Sequence, residues 1–174
     1  MEYRLKDRRV LLIRRAMPQD AQAIVDIVNE VASEEYYILW DKVEYNVELE
    51  RRHIEKAGLT ENALILIAEV EGKIVGVGEL KRGEFKKNKH TAELGIALLR
   101  EYRGLGIGSL LLNEILAWAK EKGLEKVCLS VFSSNEPAIA LYKRLGFELE
   151  GIRKKQFKIH DKYVDELLMA KFLS

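Results

Sequence analysis

Three glycines at alternate positions, Gly104, Gly106 and Gly108, interrupt the chain in the stretch "REYRGLGIGS", residues 100–109. Before them "HTAELGIALL" is an apolar run of strand length. After them "SLLLNEILAWAKEKG" carries Leu111, Ile115 and Trp118 at helical spacing, with Gly123 closing the pattern. A strand that passes through bare backbone into a helix commits this part of the chain to a βα unit. Its connection presents N–H groups at the positive end of the helix dipole, a geometry suited to a phosphate. A tight turn without a ligand would use the same glycines. Two familiar phosphate loops do not fit. A P-loop needs Gly-Lys-Ser/Thr, and Gly108-Ser109 has no lysine. The dinucleotide fingerprint counted from Gly104 meets Ser109 where its third glycine belongs.

The rest of the chain restricts the fold further. Residues 10–16, "VLLIRRA", predict a first strand. A helix follows, with Pro18 near its start and Ala21, Ile24, Val25, Ile27, Val28 and Val31 as its apolar stripe. A second helix is expected over residues 47–57, stopped by Gly58. "ALILIAEV" and "KIVGVGEL", separated by Glu71-Gly72, predict a hairpin. "KVCLSVF" predicts a strand, Asn135 or Ser134 the cap of a short helix ending before Gly146, and "ELEGIRKKQFKI" with "YVDELLMAKFL" two closing strands. The order β-α-α-β-β-β-α-β-α-β-β is α/β with a mostly antiparallel first half, which argues against a doubly wound parallel sheet.

At 174 residues, 48% of them hydrophobic and 33% charged, the chain predicts a single globular domain over 1–174. With 29 basic and 28 acidic residues the net charge is +1, so no overall field favours nucleic acid or a membrane. The lone Cys128 sits in an apolar run, expected as a buried strand residue, and fits a reducing cytoplasm. No apolar run approaches membrane-span length.

The pattern that does fit the glycine stretch is Arg/Gln-x-x-Gly-x-Gly/Ala, here running from Arg103 to Gly108. It stands at the right distance before "SSNEPAIALYKRLGFE", which matches Asn-x-x-Ala-x-x-x-Tyr-x-x-x-Gly-Phe. Together these resemble the GNAT superfamily of N-acetyltransferases, including its polyamine and ribosomal-protein N-terminal subfamilies, over residues 93–151. The element order agrees over nearly the whole chain. The resemblance implies a central, mixed, mostly antiparallel sheet of about seven strands flanked by four helices. It implies acetyl-CoA as acyl donor, with no metal.

Residue by residue, the resemblance implies that the strand before the loop parts from its neighbour at a bulge. Backbone groups of Ile96, Ala97 and Leu98 would pair with pantetheine in that gap, the Leu98 N–H facing the thioester oxygen. Arg103, Gly104, Leu105, Gly106, Ile107, Gly108 and Ser109 would wrap the pyrophosphate. Asn135 would contact the cofactor near sulfur, cap its helix, or do both. Tyr142 would protonate the departing thiolate, where core packing is the plainer role for a tyrosine in "AIALYKRLGF". The glutamate that some N-terminal acetyltransferases carry as base is replaced by Ser130. Glu93 is therefore the candidate base, with a structural strand carboxylate as its alternative.

For the acceptor, acids and aromatics interleave over residues 29–50, a composition that suits a cationic amine as well as a solvated helix face. Glu35, Tyr36, Trp40 and Asp41 are its candidate contacts. The basic Arg153, Lys154, Lys155 and Lys158 would sit awkwardly beside a polyamine unless they point outward. The expected function is acetyl transfer to a small cationic amine by direct attack in a ternary complex. A protein N-terminus is the alternative acceptor, a non-catalytic acyl-CoA sensor the alternative class, and a homodimer a possible assembly.

Overall fold

In a computed structural model of the chain, residues 1–35 and 46–173 are described. They form one sheet of eight strands in the order β1-β2-β3-β4-β5-β6-β8-β7, with four α-helices. The strands are β1 (Glu2–Arg4), β2 (Val10–Arg15), β3 (Ala63–Val70), β4 (Lys73–Arg82), β5 (Thr91–Leu98), β6 (Lys126–Phe132), β7 (Glu148–Ile159) and β8 (Lys162–Phe172). The helices are α1 (Ala21–Ser33), α2 (Val47–Leu59), α3 (Ile107–Glu121) and α4 (Glu136–Arg144). Every neighbouring pair is antiparallel except β5 and β6.

The eighth strand is β1, which the sequence hides because "EYR" is short and polar. It holds by pairing with β2 from Glu2↔Leu12 to Arg4↔Val10, and the Tyr3 hydroxyl donates to Glu114 on α3. The Glu71-Gly72 hairpin is as expected. Both residues take left-handed φ, 49° and 82°, which lets a two-residue turn follow the twist of its strands. Gly58 does not stop α2. It stays helical, and the helix ends where Thr60 becomes extended, φ −130° and ψ 157°.

Strand periodicity assigns the two faces of the sheet. A Cβ on Gly78 would meet Ile115 and Leu111, so the even positions of β4 face α3. His53 of α2 meets Glu79, so the odd positions face α1 and α2. Leu11, Leu64, Ile67, Leu80, Leu111 and Ile115 are among the fully buried side chains between these layers.

One buried carboxylate fixes the joint between β2 and α1. Asp20 accepts from the Met17 N–H at 2.7 Å and from both Arg14 terminal nitrogens, at 2.7 and 3.0 Å. Burial pushes its carboxyl up, but the Arg14 and Met17 donors together outweigh that and hold it below the usual carboxylate range. Asp20→Asn is expected to cost about 2 kcal/mol at neutral pH, the worth of charge-assisted hydrogen bonds. Because the folded pKa is depressed, that contribution is whole above the unfolded carboxylate value of about 4. It is lost as pH falls below this through the folded value. Urea unfolding of both proteins between neutral and acid pH checks this: the difference should shrink with acid.

Candidate active site

β5 and β6 pair only at Thr91↔Lys126, Ala92↔Val127 and Glu93↔Cys128; beyond Glu93 they part. The other edge of β5 stays in unbroken register with β4 as far as Gly76↔Leu98, so the parting needs no bulge in that ladder. The Leu99 N–H donates to Val75 O at 2.9 Å. Antiparallel alternation then commits the backbone groups of Ala97 and Gly95 to β4. Those of Leu98, Ile96 and Leu94 turn toward the gap. The expected trio is thus divided: Ile96 offers its N–H and carbonyl there and Leu98 its N–H, while Ala97 offers neither. A cavity of about 1090 Å³ occupies the gap, and Ile96, Leu98, Gly106, Ser109, Asn135 and Tyr142 all line it.

At the end of β5 the glycine loop curls into α3. Gly104 and Gly106 have φ of 77° and 87° with open space where a Cβ would stand, so backbone conformation, and not crowding, requires glycine there. Gly108 is different: it is helical, and its Cβ would come within 3.2 Å of Leu141 on α4. The first helical N–H with a protein acceptor is that of Leu110, bonded to Gly106 O at 3.1 Å. Among the described residues, the N–H groups of residues 104–109 have none. They form an anion nest at a helix N-terminus. Ile107 is fully buried and Leu105 packs on the core, so these two could serve a ligand only through backbone.

Arg103 also lines the cavity, and its side chain is braced by two neighbours. Its terminal nitrogens bond both Glu34 oxygens at 2.8 Å, and Nε donates to Leu98 O at 3.0 Å. It therefore ties the last turn of β5 to the end of α1. The next residue, Glu35, has φ 64° and meets His160 at the tip of the β7–β8 hairpin. So Glu35, expected as an acceptor contact, spends its carboxylate on that hairpin. Tyr36, Trp40 and Asp41 lie outside the described residues.

The candidate acid and base stand on opposite faces. Tyr142 is 7% exposed on α4, which abuts α3 at Gly108. Burial pushes its phenol up to about 12, and among the described residues no hydrogen-bond partner reaches its hydroxyl. Glu93 is exposed at the branch of the gap, on the α1 and α2 face, with Lys81 opposite it on β4. Ser130 shares that face. Asn135 caps α4, its Oδ1 accepting from the Ala138 N–H at 3.3 Å, and it also lines the cavity.

Cys128 is half-buried and lines the cavity, where full burial was expected. Burial pushes its thiol up, with Glu150 and Glu93 adding to that against Lys126, so it stays protonated and makes a poor nucleophile. Two further features escaped the sequence reading. His53 and Glu79 meet at 2.6 Å on the Glu93 face, and the Glu79 carboxylate raises the imidazole pKa against the opposing effect of burial. Arg153 and Glu166, on the closing strands, line the same cavity as Glu93.

Residues 25–147 match the model of the acetyltransferase (GNAT) family. The chain is 36% identical over 146 residues to an N-alpha-acetyltransferase of Sulfurisphaera tokodaii, covering 78% of this chain and 79% of that one. It is 32% identical over 110 residues to the L-amino acid N-acetyltransferase AaaT of Escherichia coli, covering 61% of this chain and 66% of that protein, just under two thirds of its length. Its structure resembles that of an acetyltransferase of the GNAT family from Streptococcus pneumoniae, with a TM-score of 0.88 at 31% identity over 94% of this chain and 99% of the other. Among the described residues no helix is long and apolar enough to cross a membrane.

Proposed function

The chain belongs to the acetyltransferase (GNAT) family, and from that premise we propose that it moves an acetyl group from acetyl-CoA to a primary amine by direct attack in a ternary complex. The observation that carries this is the opened β5–β6 gap, lined by the backbone groups of Ile96 and the N–H of Leu98 and leading into the N–H nest of residues 104–109. An acyl-CoA needs these two things in this order: an extended slot for its amide-bearing arm and a concave donor set for its pyrophosphate. In this reading pantetheine pairs with Ile96 and Leu98, and the Leu98 N–H faces the thioester oxygen as charge develops on it. The free amide nitrogen of Asn135 serves the donor near sulfur.

Glu93 accepts a proton from the acceptor ammonium, directly or through a water. The freed amine attacks the thioester carbon, and collapse of the tetrahedral adduct breaks the C–S bond. Tyr142 gives its proton to the departing thiolate. The adduct's nitrogen sheds its second proton, which restores Tyr142, and the proton held by Glu93 goes to solvent as acetylated amine and CoA leave, so each turnover releases one proton. No acyl-enzyme is required, in keeping with the protonated Cys128.

The acceptor reading is a small amine that enters from the α1 and α2 face. A protein N-terminus is the second reading, supported by the likeness to an N-alpha-acetyltransferase over 78% of this chain. Thermal unfolding with rising acetyl-CoA tests donor binding. A ligand at a hundredfold excess over its Kd adds about 2.7 kcal/mol of apparent stability, so Tm should climb with concentration. An unmoved Tm would overturn the reading. Binding without CoA release on any amine or peptide would favour an acyl-CoA sensor instead.

A further inference from the structure

We propose that the acceptor's ammonium sits over the bare backbone of Gly95, and that Glu79, held by His53, binds it there beside Glu93. This rests on the transferase reading above and adds to it the residues that receive the amine.

Gly95 is a glycine that the fold itself does not require. It lies inside β5, where a glycine weakens the strand and marks a bulge, a bend or the close approach of something else. The ladder to β4 runs unbroken through Glu79↔Gly95, so there is no bulge. Its φ is outside the left-handed region, and a Cβ built on it would meet no neighbouring atom within 4 Å. The two glycines of β4 have a different origin, since a Cβ on Gly76 would strike Leu98 and one on Gly78 would strike Ile115. Gly95 lines the cavity. What needs its bare surface is therefore a molecule that enters there.

Strand register gives the surroundings of that surface. Gly95 shares the α1 and α2 face with Glu93, two positions earlier, and with Glu79, its partner on β4. The two glutamates are diagonal neighbours, a spacing of roughly 7–8 Å that two such side chains can close around one nitrogen. Glu79 is restrained, because His53 Nε2 donates to its Oε1 at 2.6 Å. Its Oε2 has no partner among the described residues. The His53 and Glu79 side chains are 34% and 36% exposed, so a ligand can reach that free oxygen. Lys81, the cation opposite Glu93 on this face, is drawn off by Glu84 at 3.3 Å. Glu50, buried on α2, adds its negative charge near His53. The local field therefore favours a cation. In this arrangement Glu93 takes the ammonium proton. Glu79 keeps the nitrogen over Gly95, from where the freed amine faces the gap, and His53 acts through Glu79 as a positioning residue.

The test is CoA release by the full chain at saturating acetyl-CoA, with phenethylamine, spermidine, L-phenylalanine and trialanine as acceptors. Glu79→Gln keeps the shape and loses the charge. It should raise KM about tenfold, the scale of one charge-assisted hydrogen bond, on every acceptor the parent uses. Neither kcat nor the separately measured KM for acetyl-CoA should change much, which distinguishes Glu79 from Glu93. Gly95→Ala should melt no lower than the parent, because alanine suits a strand interior at least as well as glycine. It should nevertheless lose about tenfold or more in kcat/KM on the same acceptors, because its methyl group displaces the amine. His53→Gln should raise KM less than Glu79→Gln does. The double variant should be no worse than Glu79→Gln alone, because His53 acts only through that carboxylate. An unchanged KM in Glu79→Gln, a Gly95→Ala enzyme as active as the parent, or additive losses in the double variant would overturn the inference and leave the transferase reading intact. No CoA release by the parent on any of the four would overturn both.

Discussion

Tyr142→Phe is expected to lower kcat by about 10²–10³-fold, the usual contribution of a positioned general acid. The KM for acetyl-CoA should hardly move. The phenol is buried against Phe147, with ring centroids 5.7 Å apart, so the phenylalanine ring keeps that packing and loses only the hydroxyl. A raised pKa of about 12 means the proton is present at every pH where the enzyme works. A thiolate leaving without a donor must be expelled as an anion into a low-dielectric gap, which is where the loss in rate arises. If the variant turns over as fast as the parent, Tyr142 is a core residue and another group or water supplies the proton. If acetyl-CoA affinity falls in step with kcat, the ring was shaping the donor slot.

Glu93→Gln carries the second large effect and has a diagnostic pH dependence. An amine acceptor is mostly protonated at neutral pH, so the enzyme must remove a proton before attack. The loss should be greatest at low pH, about 10²-fold or more. It should shrink as pH rises toward the acceptor's own pKa, because free amine then arrives without help. Stopped assays of kcat/KM across neutral to alkaline pH separate this from a structural role, which would give a constant deficit. Glu93 is exposed at the strand branch, so the isosteric amide should leave the melting temperature nearly unchanged.

The glycine stretch was the most legible part of the chain because its demands are local. Left-handed backbone at Gly104 and Gly106, a helix starting at Ile107 and the missing lysine are all written within a few residues. The same holds for the Glu71-Gly72 turn and the Asn135 cap. What could not be read depends on partners far along the chain. Arg103 belongs to the glycine motif, yet its guanidinium is claimed by Glu34, 69 residues earlier. His53 meets Glu79, and Arg153 lies beside Glu166, only because strand register brings them together. Gly58 misled for a related reason: with nothing requiring a positive φ, a glycine can remain helical, and the stop came from Thr60. Side-chain chemistry marks such residues as polar; topology decides what they face.

The adjacent carboxylates at the end of α1 have an evolutionary consequence. Glu34 is fastened to the loop that would hold the donor and Glu35 to the β7–β8 hairpin, so the helix before them must end at one angular phase. Adding or deleting a single residue within α1 would rotate that end by about 100° and present each carboxylate to the wrong side. The length of α1 is therefore constrained from both sides of the cavity by two neighbouring carboxylates, one fastened to the loop and one to the hairpin.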